Sequence, residues 1–249
     1  MEKYITLIII TLFTNSNLFS QIYRLEYKFA ENIPSLGYRE YNTRLDYNLK
    51  TNESIYTVLL TKEDNESNIV DNGFVIKEKI LDNTIIYNNF KDSITIIQEQ
   101  IDIEMLLFKE KTPNIKWDLT NEIKFKNNLN LKKAKTYFRG RNYEVWYTLD
   151  IPYGIGPWKL NGLPGAIVEI KEDKNRYSWD LMKFYKIDEI EFKNPINEST
   201  YKEHSIKDYP ILKFETPERV KEKLRKIDPN FKFLPLNRVD IELKFEWEN

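Results

Sequence analysis

Arg139-Gly140-Arg141 sets two guanidiniums on either side of a glycine. Residues two apart on an extended strand face the same side. Two like charges on one side call for an anion. That anion is either a carboxylate of the chain itself or an outside carboxylate or phosphate, gripped bidentately. Structural salt bridges holding the glycine turn are the simpler expectation. Trp146, Tyr153 and Trp158 follow shortly after. They would line an apolar groove for a ligand or peptide, or pack down the turns around them as core. These five residues are the candidate binding set.

Groups that could react are scarce. The chain has no cysteine, which excludes disulfides, thiolate metal sites, a cysteine nucleophile and a lipoprotein-type anchor. His204 is the one histidine. Its neighbours Glu203 and Ser205 cannot meet it on a strand or a helix, so it reads as a surface residue. There is no G-x-S-x-G elbow and no Asp-x-Asp ligand loop. Glu169, Glu172 and Asp173 are the acids nearest the arginines and aromatics. No catalytic residue, metal or cofactor is expected. A carboxylate-based hydrolase, which needs two acids a few ångströms apart, stands as a distant alternative.

Glycine is concentrated around the same residues. Five of the 7 glycines fall between Gly140 and Gly165. Gly154, Gly156, Gly162 and Gly165 alternate with prolines, among them Pro157 and Pro164. Such a segment is neither helix nor continuous strand. It predicts a rigid series of turns, with Leu163-Pro164-Gly165 suited to a type II turn and positive φ at Gly165. It is not a P-loop, since no Gly-Lys-Ser/Thr follows, nor a dinucleotide fingerprint.

Several blocks in order carry a resemblance. Phe138-Arg-Gly-Arg, Val145-Trp-Tyr-Thr, Ile151-Pro, Gly156-Pro-Trp and Gly162-Leu-Pro-Gly-Ala-Ile are similar to the GLPGLI family of exported Gram-negative bacterial proteins. The similarity is strongest from about Trp117 to Tyr185. Ala166 stands where the family name has leucine. The cysteine that members often carry before the arginine block is absent. The resemblance implies export and a β-rich fold, and no activity.

Alternation supplies the elements that hold these residues. Strands are expected at Tyr23–Phe29, Leu45–Leu49, Ser54–Thr61, Ile85–Phe90, Ser93–Glu99 and Ile103–Phe108. Further strands are expected at Trp117–Phe125, Leu131–Phe138, Tyr143–Leu149, Ala166–Lys171 and Tyr177–Ile187. Val239–Trp247 alternates most cleanly of all. Thr61–Asn72 reads as a solvent loop. Thr216 as N-cap, Pro217 at the first position and a Val220, Leu224, Ile227 stripe predict a helix ending at Asp228-Pro229. A weaker helix is expected near Glu198–Ile206. The fold class is mainly β. It is a strongly curved antiparallel sheet, open barrel or two-layer structure, with one or two short helices near the C-terminus. A sheet wrapped around the Thr216 helix is the preferred arrangement.

Residues 1–20 carry one lysine and an apolar run from Tyr4 to Phe13. The run is too short to span a bilayer and suits a signal peptide cut before Gln21. Residues 21–249 then form one domain, since no compositional shift marks a boundary. The remainder has no transmembrane segment. Lys and Arg number 38 and Asp and Glu number 39, which gives no electrostatic reason for a nucleic-acid partner. The sequence therefore points to an exported, uncharacterised β-rich protein, periplasmic, outer-membrane-associated or extracellular. Non-catalytic binding of an apolar or peptide ligand, or of an envelope partner, comes first. A purely structural protein is the alternative.

Overall fold

A computed structural model describes residues 21–34, 37–61, 66–71, 74–79, 83–101, 104–187, 192–215, 218–230, 232 and 238–248. The segment 1–20 and the capping pair Thr216 and Pro217 lie outside the described residues.

The chain is mainly β. The strands in order are β1 (Ile22–Ile33), β2 (Gly37–Asn48), β3 (Glu53–Leu59), β4 (Glu66–Asp71), β5 (Phe74–Lys79), β6 (Ile85–Asn89) and β7 (Ile94–Ile101). They continue with β8 (Glu104–Lys111), β9 (Asp118–Lys126), β10 (Leu129–Phe138), β11 (Arg141–Thr148), β12 (Ala166–Glu172), β13 (Tyr177–Ile187) and β14 (Glu203–Ser205). Two short helices follow, α1 (Tyr209–Phe214) and α2 (Glu218–Ile227). Twelve strands form one sheet in the order β14-β8-β7-β6-β3-β2-β1-β13-β12-β11-β10-β9. Neighbours are antiparallel except β14, which runs parallel to β8. β4 and β5 make a separate hairpin.

The sheet is open but strongly curled. β8 and β10 are nine strand spacings apart in the order. In a flat sheet that is roughly 43 Å. Yet Arg139, at the end of β10, lies 2.6 Å from Glu110 of β8. Two ends of the sheet thus meet side chain to side chain without a ladder between them.

Four expectations from the sequence are corrected. Val239–Trp247 is not a strand. The N–H groups of Leu243 and Lys244 both donate to the Arg139 carbonyl at 2.8 and 3.3 Å, so the tail hangs on one residue and not on a ladder. Its buried residues are Glu242 and Phe245, three apart, which breaks the period of two. The sheet does not wrap around α2, whose Ile227 is 81% exposed. Seven of the ten α2 residues are charged, too many to enter a core. No α-helix forms at 198–206; β14 occupies Glu203–Ser205, and a single 3-10 turn over Ile206–Asp208 leads into α1. The loop expected at 61–72 contains β4, which pairs Ile69 with Ile76 and Val70 with Val75.

The inner face is filled by other segments. Ile151, Ile155, Trp158, Leu160 and Leu163 of the β11–β12 connection join the core with Tyr209 and Phe214 of α1 and Phe245 of the tail. The outer face of β3, β6, β7 and β8 is also covered. Ile55, Ile85, Ile96 and Leu107 pack there on Ile196. These strands read as continuous buried runs rather than one-sided alternation because both faces are dry.

The β11–β12 connection is held by its own backbone. Gly162 N–H donates to Gly154 at 2.9 Å, Ala166 N–H to Ile151 at 2.9 Å, and Ile167 N–H to Ile155 at 2.9 Å. Positive φ falls at Gly162, at 88°, and not at Gly165, so the type II turn expected there is not the one formed. Gly165 is glycine for a different reason. A Cβ on it would stand 1.9 Å from the Thr148 carbonyl oxygen. Gly165→Ala is expected to destabilise by roughly 3 kcal/mol or more, since overpacking against backbone cannot relax. Gly37, with φ of 81° and open space around its Cβ position, is the control. There alanine is expected to cost only about 1–2 kcal/mol. Urea unfolding of both variants checks the order; equal losses would rule the close approach out.

Candidate functional site

The two arginines are turned inward. Arg139 has φ of 51°, a left-handed conformation forced as the chain leaves β10 beside Gly140. Its Nη2 donates to Glu110 Oε2 at 2.6 Å, Nη1 to Glu242 Oε1 at 2.7 Å and Nε to Glu246 Oε1 at 2.9 Å. Lys159 completes the group. Its Nζ donates to both Glu242 oxygens at 2.9 Å and stands 2.8 Å from Glu110 Oε1 as an ion pair. Glu110, Arg139, Lys159 and Glu242 are all buried.

Burial alone would raise the Glu110 carboxyl, but Lys159 and Arg139 hold it below its ordinary value. Glu242 is raised, because burial and Glu110 outweigh the two cations. Burial also works against the charge on Lys159, yet Glu110 and Glu242 raise its pKa. The cluster is charged and internally neutralised.

Arg141 makes a second buried clamp. Its Nη1 donates to Glu172 Oε1 at 2.8 Å, and its Nε reaches the carbonyls of Asp240 and Ile241 at 3.1 and 3.0 Å. The guanidinium lies over the Tyr177 ring at 4.7 Å. Glu172 Oε2 accepts the N–H groups of Lys174 and Arg176, each at 3.0 Å, and so shapes the β12–β13 turn.

The candidate aromatics separate. Trp146 is partly buried at the margin of the core, with Lys124 Nζ 4.2 Å from its ring centre. Tyr153 packs on Tyr23 and Tyr47 at 4.9 and 5.6 Å. Its OH donates to Tyr23, which with burial lifts its pKa to about 12. Of the five candidate residues, Trp158 borders one cleft and Arg139 another, the latter formed with Tyr137, Lys244 and Glu246. Glu169 pairs with Lys124 and Lys126 on the outer face. Asp173 accepts from Asn142 at 2.9 Å in an exposed position. His204 stands 3.9 Å from Asp208. No group of acids or histidines among the described residues is arranged for a metal ion.

The cleft beside Arg139 has about 380 Å³, while the one that Trp158 borders has about 300 Å³ and lies inside the curl. Its wall is aromatic: Phe29, Tyr41, Tyr56, Trp158, Tyr177 and Trp179. Phe29 stacks on Trp179 at 4.7 Å and on Tyr41 at 5.9 Å, following the registers of β1 with β13 and β2. Trp158 stacks on Trp179 at 6.2 Å. Charges frame the wall. Lys213 of α1 pairs with Glu99 and lies 3.3 Å from Asp240. These acids keep its pKa high although burial works against its charge. Glu31 and Arg39, on β1 and β2, also face the cleft.

Sequence reasoning missed Glu31, Lys213, Asp240 and the buried Glu110, Lys159 and Glu242. Alternation marked Glu242 as a wet position. The one available signal was Lys159, a charge inside an otherwise apolar and glycine-rich run.

Lys159→Met is expected to cost roughly 3–5 kcal/mol, because Glu242 and Glu110 are left buried beside a missing cation. Lysine's folded value lies above its ordinary 10.5, so its contribution is complete below pH 10.5 and is lost as the pH rises through the folded value. Urea unfolding of wild type and variant should therefore differ at pH 8 and converge at strongly alkaline pH. A constant difference would show that the charge is not what matters.

The comparisons with known proteins fit a β fold of open function. A family model described as "Protein of unknown function (Porph_ging)" matches residues 84–169. That stretch runs from β6 into β12 and includes Glu110, Arg139 and Lys159. Two solved structures of PNGF-II, in C2 and P21 space groups, are similar with TM-scores of 0.54 and 0.51 at 16% and 17% identity. Each covers 78% of this chain, which spans 32% and 33% of theirs, about a third. At that identity the likeness concerns the fold alone. No curated protein matches the chain. Over residues 84–169, then, the chain is similar to a family of unknown function.

Proposed function

We propose that this is an exported cell-envelope protein that binds an apolar or peptide ligand in the aromatic cleft, without chemistry of its own. The single observation that supports the reading is the cleft of about 300 Å³ with a wall of stacked rings. That volume is at the lower end of what small-ligand pockets occupy. A filled core would have favoured the purely structural alternative instead. Export rests on the segment 1–20, with one domain from Gln21 onward. The ordered blocks from Phe138 to Ile167 support reading the matched family as GLPGLI.

A second reading, a carboxylate-based hydrolase, is favoured by Glu31, Glu99 and Asp240 on the cleft. Two of the three are committed elsewhere. Glu99 and Asp240 share Lys213 and also accept from the Tyr209 hydroxyl at 3.1 and 3.3 Å. They hold α1 and the tail in place, which leaves the binding reading ahead.

The fluorescent apolar probe N-phenyl-1-naphthylamine tests the cleft. One saturable site per chain is expected, lost in Val58→Trp, which fills the cleft from β3. Non-saturable uptake, or uptake unchanged in that variant, would sink the reading. Intact-mass measurement on protein from the native host is expected to begin at Gln21; a retained Met1 would remove the export proposal.

A further inference from the structure

Charges in the cleft are not equally spent. Lys159 is used by Glu110 and Glu242, and Lys213 by Glu99 and Asp240. Glu31 is different. Its Oε1 accepts the Tyr41 hydroxyl at 3.3 Å, and Arg39 Nη1 stands 3.9 Å from that same oxygen. Both contacts are long for a carboxylate, whose charge-assisted partners usually sit at about 2.7–2.9 Å. Among the described residues Oε2 has no partner. The carboxylate is nonetheless largely withdrawn from water, with a side chain 17% exposed.

Glu31 also sits beside the aromatic wall. Phe29 and Glu31 are two apart on β1 and so share a face. The registers place Glu31 opposite Arg39 on one side and Tyr177 on the other. One end of the cleft is therefore apolar, and a half-satisfied anion stands next to it.

We propose that Glu31 is the recognition point for a cationic amine carried on an apolar or aromatic group, such as the amino terminus of a peptide. The amine nitrogen reaches Oε2, and the apolar body lies along Phe29 and Trp179. This rests on the cleft being a binding site. A ligand carboxylate in the same pose would face an anion that Arg39 screens only from 3.9 Å. Burial raises the Glu31 carboxyl above its ordinary value, with Arg39 and Tyr41 pulling down, Asp240 pushing up and Lys213 pulling down. Amine binding should therefore weaken as the pH falls towards that raised value, where Glu31 takes up a proton.

Three probes of similar size separate the possibilities: 2-phenylethylamine, benzyl alcohol and 3-phenylpropionate, titrated by calorimetry at pH 7.5. The amine is expected to bind about tenfold or more tightly than the other two, the size of one charge-assisted hydrogen bond. Glu31→Gln should bring the amine level with the alcohol while the alcohol is unchanged. Arg39→Gln should strengthen the amine, since it removes the competing cation. If the alcohol binds but the amine gains nothing, or if Glu31→Gln keeps the preference, this inference fails and the cleft reading stands. If none of the three binds, the cleft reading fails and takes this one with it. Far-UV circular dichroism of both variants confirms that they fold.

Discussion

Four charged side chains leave water together where the two ends of the curled sheet meet. Glu110 comes from β8, Arg139 from the end of β10, Lys159 from the β11–β12 connection and Glu242 from the tail. Each is costly to bury alone, by several kcal/mol after relaxation. Together two cations face two anions at 2.6–2.9 Å, and the cost is largely offset. The gain is specificity more than stability. A hydrophobic contact would tolerate a shifted register between sheet ends, whereas an ion pair left half-formed is penalised heavily. The cluster thus fixes how far the sheet curls, and with it the width of the cleft inside.

The glycine-rich connection makes that closure possible. Trp158 and Lys159 reach the interior because backbone crosses backbone at distances no side chain allows. A Cβ on Gly156 would stand 2.5 Å from the Leu160 carbonyl, and one on Gly140 would stand 2.9 Å from Leu243 and Lys244. The first approach lets the connection fold back on itself under the sheet. The second brings the tail against the arginine turn, where the Arg139 carbonyl receives it. One segment therefore supplies part of the core, a wall of the cleft and one corner of the charge cluster.

The cleft inherits its character from this arrangement. Its apolar side is a by-product of strand register, since Tyr41, Phe29 and Trp179 are direct partners across three adjacent strands. Its charged side comes from segments far apart in the chain: β1, β2, β7, α1 and the tail. Most of those charges are paired because they also hold α1 and the tail to the sheet. Glu31 is held more loosely, by Tyr41 and Arg39 alone, and the strand that carries it is already held by β2 and β13 on both sides.

The sequence by itself determined what depends on neighbours along the chain. Period-two alternation located most of β1, the end of β2, β11 and β13, and the spacing of glycine and proline located the rigid connection. Both signals are local, so they survive without knowledge of the partners. Alternation misled at Val239–Trp247, where arginine side chains and one carbonyl bind the backbone that a neighbouring strand would otherwise pair. It was silent on Glu110 and Lys159 and set Glu242 on a wet face, because a charge is buried only when its counter-charge arrives from elsewhere. Arg139 and Arg141 were legible as needing anions, but not which ones. Only the tertiary structure decided that, because curling brings β8, β10 and the tail to one point, and such closure depends on contacts more than a hundred residues apart.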